Sequence, residues 1–497
     1  MMQIDKLSLK ALRDQINGGT RTVQFQTDEG ATTQMVYIPK FRIPTGMWDN
    51  GAFPAKDMNL GGFFIDKYQC SHKAATHLER GISDSPTIAA DDTTNVPVSL
   101  PGKVAWTQID WTNAKQACAN RKIKGVACHL VTMKEWATVC FLARFLGHDM
   151  RGNNNWGKDY RDTDVWENRG VVDTGLAGYN TAQGKEMSRM LTGTGPVSYS
   201  HNGMADGVFD IVGNVWEWCD FTINNGVYTH RKKAHINDSD GITVADTTIT
   251  IDGMENADTW PSSGTVKIDD EYITYATINQ QGSGKAILSG CSRAQNSTTA
   301  ATHKDNAVVY QLTDYCIIPG GATAYMSKAM SSSDTAITYS GLINGPGNDG
   351  FSVGDILQIE AEQTLISAVT SNVLTITRAV NGTTATTHVI GTAFTKISSQ
   401  MTNTDPAGDA SQYASFQSMH TEDDLAPLAF PSVVGSATDE WKDGIWIRNK
   451  GKRVARRGGS WGGGVSARSG LAVHVDTDPS FNNVDISFRA AMSLDNL

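Results

Sequence analysis

The segment Leu471-Ala472-Val473-His474-Val475-Asp476 carries the side chains best suited to grip a ligand. Its alternation predicts a strand with Leu471, Val473 and Val475 toward a core and Ala472, His474 and Asp476 toward solvent. An outward His and Asp donate and accept hydrogen bonds, and Phe481 adds an apolar anchor. Such a strand is either a contact surface for a ligand or an ordinary exposed strand and loop. A second constellation is Asp210, Gly213, Val215 and Glu217. Two carboxylates and two backbone carbonyls along one tight segment are the hard oxygen donors that Ca²⁺ prefers. The alternative is an Asp/Glu pair that hydrogen-bonds its own turn. Six cations (Arg448, Lys450, Lys452, Arg453, Arg456 and Arg457) fall within ten residues. They either border a face for anionic glycans or lipopolysaccharide, or belong to a solvated strand pair.

Other chemistries lack their residues. Among the histidines His72 and His77 lie close, and nothing nearby completes an iron-binding facial triad. Gly458-Gly459 and Gly462-Gly463-Gly464 lack the strand–helix setting and the Lys of a phosphate loop. Cys70, Cys118, Cys128, Cys140, Cys219, Cys291 and Cys316 form no CxxC pair and match no zinc or disulfide spacing. Buried free thiols are the expectation.

The elements that hold these residues follow from composition and pattern. The 497 residues exceed one ordinary core and predict two to four domains. Forty-eight glycines and 19% charged residues favour turn-rich, β-leaning structure. A formal charge of −10 argues against nucleic acid as a partner. No apolar run is long enough to span a membrane, and the N-terminus lacks the apolar region of a signal peptide. Leu7 to Ile16 reads as a short amphipathic helix in an N-terminal arm. Helices are also predicted over Asn113–Arg121 and Thr132–Phe145, the latter opened by a Thr132/Glu135 capping box and stopped at Gly147. From about Gly241 to Ser398 the chain is Thr-rich and alternating, with an internal repeat. The run from Arg293 to His303 recurs from Arg378 to His388, over eleven positions. Two all-β modules inserted into one interrupted domain account for it.

The run Phe209-Asp210-Ile211-Val212-Gly213-Asn214-Val215-Trp216-Glu217-Trp218 resembles the formylglycine-generating-enzyme-like (sulfatase-modifying-factor) branch of the C-type lectin fold. Phe63–Tyr68, Val104–Trp106 with Asn113–Cys118, Leu130–Trp136, and Arg457–Trp461 with Phe488-Arg489 agree in order. The last forty residues are similar to the variable proteins of diversity-generating retroelements, which include phage receptor-binding proteins. Arg457-Gly458-Gly459-Ser460-Trp461 is followed by Pro479-Ser480, five free positions and Ile486-Ser487-Phe488-Arg489-Ala490-Ala491, with Ser487 in place of the usual Gly. The resemblance implies contact positions at Gly462, Gly463, Ser466, His474, Asp476, Thr477, Phe481, Asn483, Val484 and Asp485. It also implies calcium at Asp210, Gly213, Val215 and Glu217, as a structural ion; no cofactor is required for function. Trp216, Trp218 and Trp461 are expected in the core, and Arg489 as a buried structural Arg. Formylglycine synthesis needs a C-terminal cysteine pair for copper, and no cysteine follows Cys316.

The expected fold is α+β, a C-type-lectin-like domain of the formylglycine-generating-enzyme type with two inserted all-β modules. Its parts are an N-terminal arm (1–34), the first part of the lectin-like domain (35–240), modules at 241–320 and 321–400, and the second part with the binding segment (401–497). The expected function is that of a non-enzymatic, retroelement-diversified phage tail adhesin. It would be made in the host cytoplasm and carried in the virion. Its partners would be a host cell-surface protein or glycan and other tail proteins, as a homo-oligomer, a trimer by analogy with tail fibres. A divergent formylglycine-generating-type oxidase and a structural tail or baseplate protein are the alternatives.

Overall fold

The computed structural model describes residues 2–3, 22–162, 169–174, 189–224, 226–255, 260–296, 298–319, 321–344, 350–397, 411–435, 441–448 and 451–493. The helix expected over Leu7–Ile16 lies outside them. The chain divides into two compact units, Met1–Thr222 with Ser411–Leu497, and Ile223–Ala410. The second begins earlier than the expected module boundary at 241. Strand Val227–Ile236 pairs along its length with Val308–Cys316, from Val227↔Cys316 to His235↔Val308, and so folds with the inserted segment.

The expected α+β class is wrong. Among the described residues strands take up 41% and helices 9%, with two α-helices. Only two windows combine a cap with helical apolar spacing; the Thr- and Gly-rich remainder favours extended backbone and turns.

In the first unit, strands Thr22–Gln26, Thr32–Ile38, Phe63–Asp66, Ala490–Ser493 and His129–Leu130 lie side by side. The chain's last strand thereby closes against an early one, with Ala491 opposite Ile65. Helix Trp111–Asn120 is capped by Asp110, whose carboxylate accepts from the Asn113 N–H, and it buries Trp111, Ala114, Ala117 and Cys118. Helix Met133–Phe145 carries the expected capping box. Fully buried Trp136 donates from Nε1 to the Gly470 carbonyl at 2.7 Å, tying this helix to the C-terminal segment.

A second sheet of this unit supplies the site. Its strands run in the order Trp216–Asn224, Lys452–Arg457, Val473–Thr477, Gly444–Ile447, Gln412–Met419 and Pro431–Gly435. Ile486–Phe488 pairs in parallel with Trp216–Trp218. Gly458 has φ +93, and a Cβ there would come within 2.9 Å of the Ile211 carbonyl and 3.0 Å of the Trp136 ring, so the frame needs glycine.

The second unit contains the repeat as two related sheets. In the later copy, strands Ala322–Met326, Ala336–Asn344, Val373–Thr377, Glu362–Thr370, Ile356–Ile359 and Ala393–Lys396 close a barrel. In the earlier copy the equivalent strands keep the same neighbours, with Glu271–Tyr275 and Thr277–Gly282 standing where the later copy has the one strand Glu362–Thr370, and with Ser292–Gln295 added beside Glu271–Tyr275.

The repeated residues build the same clamp twice. Arg293 donates from Nε and Nη2 to the two oxygens of buried Glu271 at 2.8 and 2.7 Å. His303 places Nε2 2.9 Å from Glu271 and Nδ1 2.7 Å from Asp269. In the second copy Arg378 forks onto Glu362 at 2.5 and 2.6 Å, while His388 sits 2.9 Å from Glu362 and 2.8 Å from Glu360. Backbone N–H groups of Ala294 and Ala301, or Ala379 and Thr386, complete each carboxylate's hydrogen bonds. Burial alone would raise both carboxyls; these donors instead bring Glu271 and Glu362 down to about 2.

Candidate ligand-binding face

The Val473–Thr477 strand lies between Gly444–Ile447, in parallel, and Lys452–Arg457, antiparallel. This position makes His474 a neighbour of Trp446 and of Arg456. The imidazole stacks on the Trp446 indole, with centroids 4.3 Å apart and 9° between the planes. The Trp216 ring meets it edge-on at 4.5 Å. Tyr413 leans on the far side of Trp446 at 4.8 Å, and its hydroxyl lies 2.8 Å from the Ser466 hydroxyl. Each such ring pair contributes ~0.5–1.5 kcal/mol beyond its buried area.

Charges fix this stack. His474 Nδ1 lies 2.9 Å from Asp476 Oδ1 and 3.2 Å from Arg456 Nη2. Burial, and then the Arg456 guanidinium, lower the His474 pKa to about 4, so the ring is neutral at pH 7. A neutral Nδ1 either donates to Asp476 or accepts from Arg456, one at a time. The Ser411 hydroxyl donates to Asp476 Oδ2 at 2.6 Å. Burial alone would raise Asp476, but the His474, Ser411 and Arg456 contacts hold it well below the usual carboxylate range.

The expected alternation fails at its centre. Ala472 is buried and His474 is only 9% exposed, because the strand is central and covered on both faces. Asp476 is half-buried, and Thr477 is buried with its hydroxyl donating to Asp476. Phe481 is 44% exposed beside the Arg456 guanidinium, and Ser466 and Gly463 are half-buried next to exposed Gly462. Asn483, Val484 and Asp485 are half-buried. The Asn483 carbonyl accepts from the Gln108 N–H, the Val484 carbonyl from Arg189, and the Asp485 carbonyl from the Trp216 N–H, so these three hold the backbone of the loop. The structure thus joins Ser466, His474, Asp476 and Phe481 into one face.

Tyr413 and Trp446 were not singled out from the sequence. Tyr413 is 50% exposed and, with Phe481, forms the accessible aromatic surface of this face. The only signal was alternation in Gln412–Met419 and Gly444–Ile447, whose side-by-side placement depends on tertiary pairing.

The cation run is split between surface and interior: Lys452 is exposed, while Arg448, Arg453 and Arg456 are half-buried. Arg457 is fully buried, donating to the carbonyls of Leu471, Leu428 and Ala429 at 2.6, 2.6 and 2.9 Å. Burial lowers its pKa to about 10. Arg456 serves the aromatic stack, and Lys450 lies outside the described residues.

The calcium ligand set does not fit. Both Glu217 oxygens accept from the buried Arg489 guanidinium, at 2.9 and 2.8 Å. Arg489 also donates to the Asp66 and Phe209 carbonyls. Asp210 Oδ2 accepts from the Gly193 N–H at 2.8 Å, and burial raises this carboxyl to about 6. The Val215 carbonyl accepts from Gln69. A Cβ on Gly213 would come within 2.2 Å of the Asn153 carbonyl, so this residue permits close backbone packing. The segment is a buried ion pair and a clamped turn. Trp216, Trp218 and Trp461 are all buried. Among the described residues, Cys70, Cys118, Cys128, Cys140, Cys219 and Cys291 are free and buried.

No curated protein matches the chain. The sulfatase-modifying factor enzyme 1-like domain matches residues 20–298, a span containing the Phe63–Asp66 strand, both helices and the Asp210–Trp218 segment. That span is more than half of the 497 residues, and the chain belongs to the sulfatase-modifying factor enzyme 1-like family.

Proposed function

We propose that this protein is a non-catalytic, ligand-binding member of its family, a phage tail adhesin that recognises a host-surface molecule. The family includes both enzymes and non-enzymatic relatives. The observation that carries the reading is the face on which exposed Tyr413 leans on the Trp446–His474 stack and exposed Phe481 is joined to it through Arg456. Rigid aromatics contribute contact area at low entropic cost, and the neutral His474 with anionic Asp476 provides fixed polar partners. Four of the face's residues come from the segment that resembles a retroelement-diversified one, while the stack beneath is held by the sheet. Missing copper donors weigh against the oxidase alternative.

Display in several copies, as in a trimer, would multiply a weak single contact. The test is host-cell adsorption by the full chain with Tyr413→Ala and Phe481→Ala together, folding confirmed by its melting curve. Lost adsorption supports the reading, and unchanged adsorption overturns it. Diversification has its own test in the gene. An imperfect copy of the 3′ end beside a reverse-transcriptase gene is expected, and its absence removes that part.

A further inference from the structure

The second unit carries a cleft of about 330 Å³, at the small end of the ~300–1,000 Å³ range of small-molecule sites. Its floor is the outward face of the earlier copy's sheet. Arg231, Leu312, Thr265 and Thr274 stand opposite one another in register across four strands, with Asp314 and Tyr272 two residues along on the same face. The core side of that sheet is formed by the alternate residues, among them Val266, Ile273 and Val309. The other wall is the outer face of the closed barrel, with Tyr325, Gln358, Glu360 and Thr395. Thr395 is 1% exposed, and its Oγ1 has no hydrogen-bond partner among the described residues. A buried hydroxyl without a partner destabilises the fold, and a ligand hydroxyl that reaches it removes that cost.

The chemistry of the two walls identifies the ligand class. Asp314 accepts from the Thr229 hydroxyl at 2.6 Å, and burial raises its carboxyl. Glu360 is already engaged by His388 at 2.8 Å. One guanidinium faces these two carboxylates, so the cleft offers no field for an anion. Its polar lining is equally unsuited to a lipid chain. Carboxylates, a carboxamide, a guanidinium and hydroxyls together both donate and accept, as vicinal hydroxyl groups require. Tyr272 and Tyr325 add aromatic surface for a C–H face. We propose that the cleft between the two inserted modules binds a short neutral saccharide, at a site separate from the Tyr413–Phe481 face.

The test titrates the full chain with maltose, lactose and chitobiose, and with sialyllactose as a charged comparator. Binding is followed by saturation-transfer NMR and hydrogen exchange. At least one neutral disaccharide is expected to bind with Kd ~1 mM and to protect 308–316 and 393–396. Tyr272→Ala and Asp314→Asn, each with an unchanged melting curve, should weaken binding about tenfold or more. Thr395→Val keeps the shape, removes the hydroxyl, and should weaken it by a smaller factor. No neutral saccharide bound at ~10 mM, binding of sialyllactose alone, or equal binding by all three variants would overturn the proposal. Protection confined to 411–493 would overturn it too.

Discussion

The His474 imidazole lies parallel to the Trp446 indole, with ring centroids 4.3 Å apart and 9° between the planes. Two strands that meet only through tertiary pairing create this contact, and it converts a histidine placed for solvent into the middle layer of a stack. Tyr413 packs on the Trp446 side of that layer, and Phe481 is linked to it through Arg456.

His474 should therefore titrate far below an ordinary imidazole. Its midpoint in the folded protein is expected near 4, read by NMR of the ring protons. An unfolded His takes up a proton near ~6.5, so protonation costs the fold about 1.4 kcal/mol for each pH unit between that value and 4. The contribution is complete above the unfolded value and is lost as pH falls. A midpoint near the unfolded value would mean that the ring is not buried as described.

The later copy's clamp has the opposite dependence at its histidine, His388. Burial alone would lower His388, but the Glu360 and Glu362 hydrogen bonds outweigh it and raise its pKa. Its contribution is present below ~6.5 and is lost as pH rises through the folded value. Glu271 and Glu362, brought down to about 2, contribute above their unfolded value of ~4.5 and lose that contribution as pH falls toward 2. Melting curves of His388→Gln against the parent should differ most near pH ~5–6 and converge in alkali. A constant difference across the range contradicts the clamp.

Removing one partner of the Arg489–Glu217 pair should destabilise the first unit by ~3–5 kcal/mol, because the other charge is left buried. Denaturant titration of Arg489→Met and Glu217→Gln measures it. Loss below ~1 kcal/mol would place the pair in solvent-like surroundings. Added calcium should not raise the parent's melting temperature, since Glu217's oxygens are already engaged.

Some of this was legible in the sequence because the interactions are local or repeated. The Thr132/Glu135 capping box spans three residues, and the Arg293–His303 and Arg378–His388 copies record one clamp twice. The stack was hidden because Tyr413, Trp446, His474 and Trp216 come from four strands far apart in the chain. Alternation distinguishes two faces of a strand, and it cannot say that both are covered. The α+β expectation gave two short helices the weight of a layer. Calcium was one of two readings at Glu217; the partner that engages it, Arg489, lies hundreds of residues away, and the fork between them forms only when the final strands close the sheet.

The central claim is that the Tyr413–Phe481 face binds a host-surface ligand and performs no chemistry. Its most direct measurement compares adsorption to host cells of the parent and of Tyr413→Ala with Phe481→Ala. Both side chains are about half exposed, so truncation should cost ~0.5–2 kcal/mol each, chiefly through the Tyr413–Trp446 ring contact, and leave the protein folded. The account predicts a folded variant that no longer adsorbs. A folded variant that adsorbs as the parent does would contradict it.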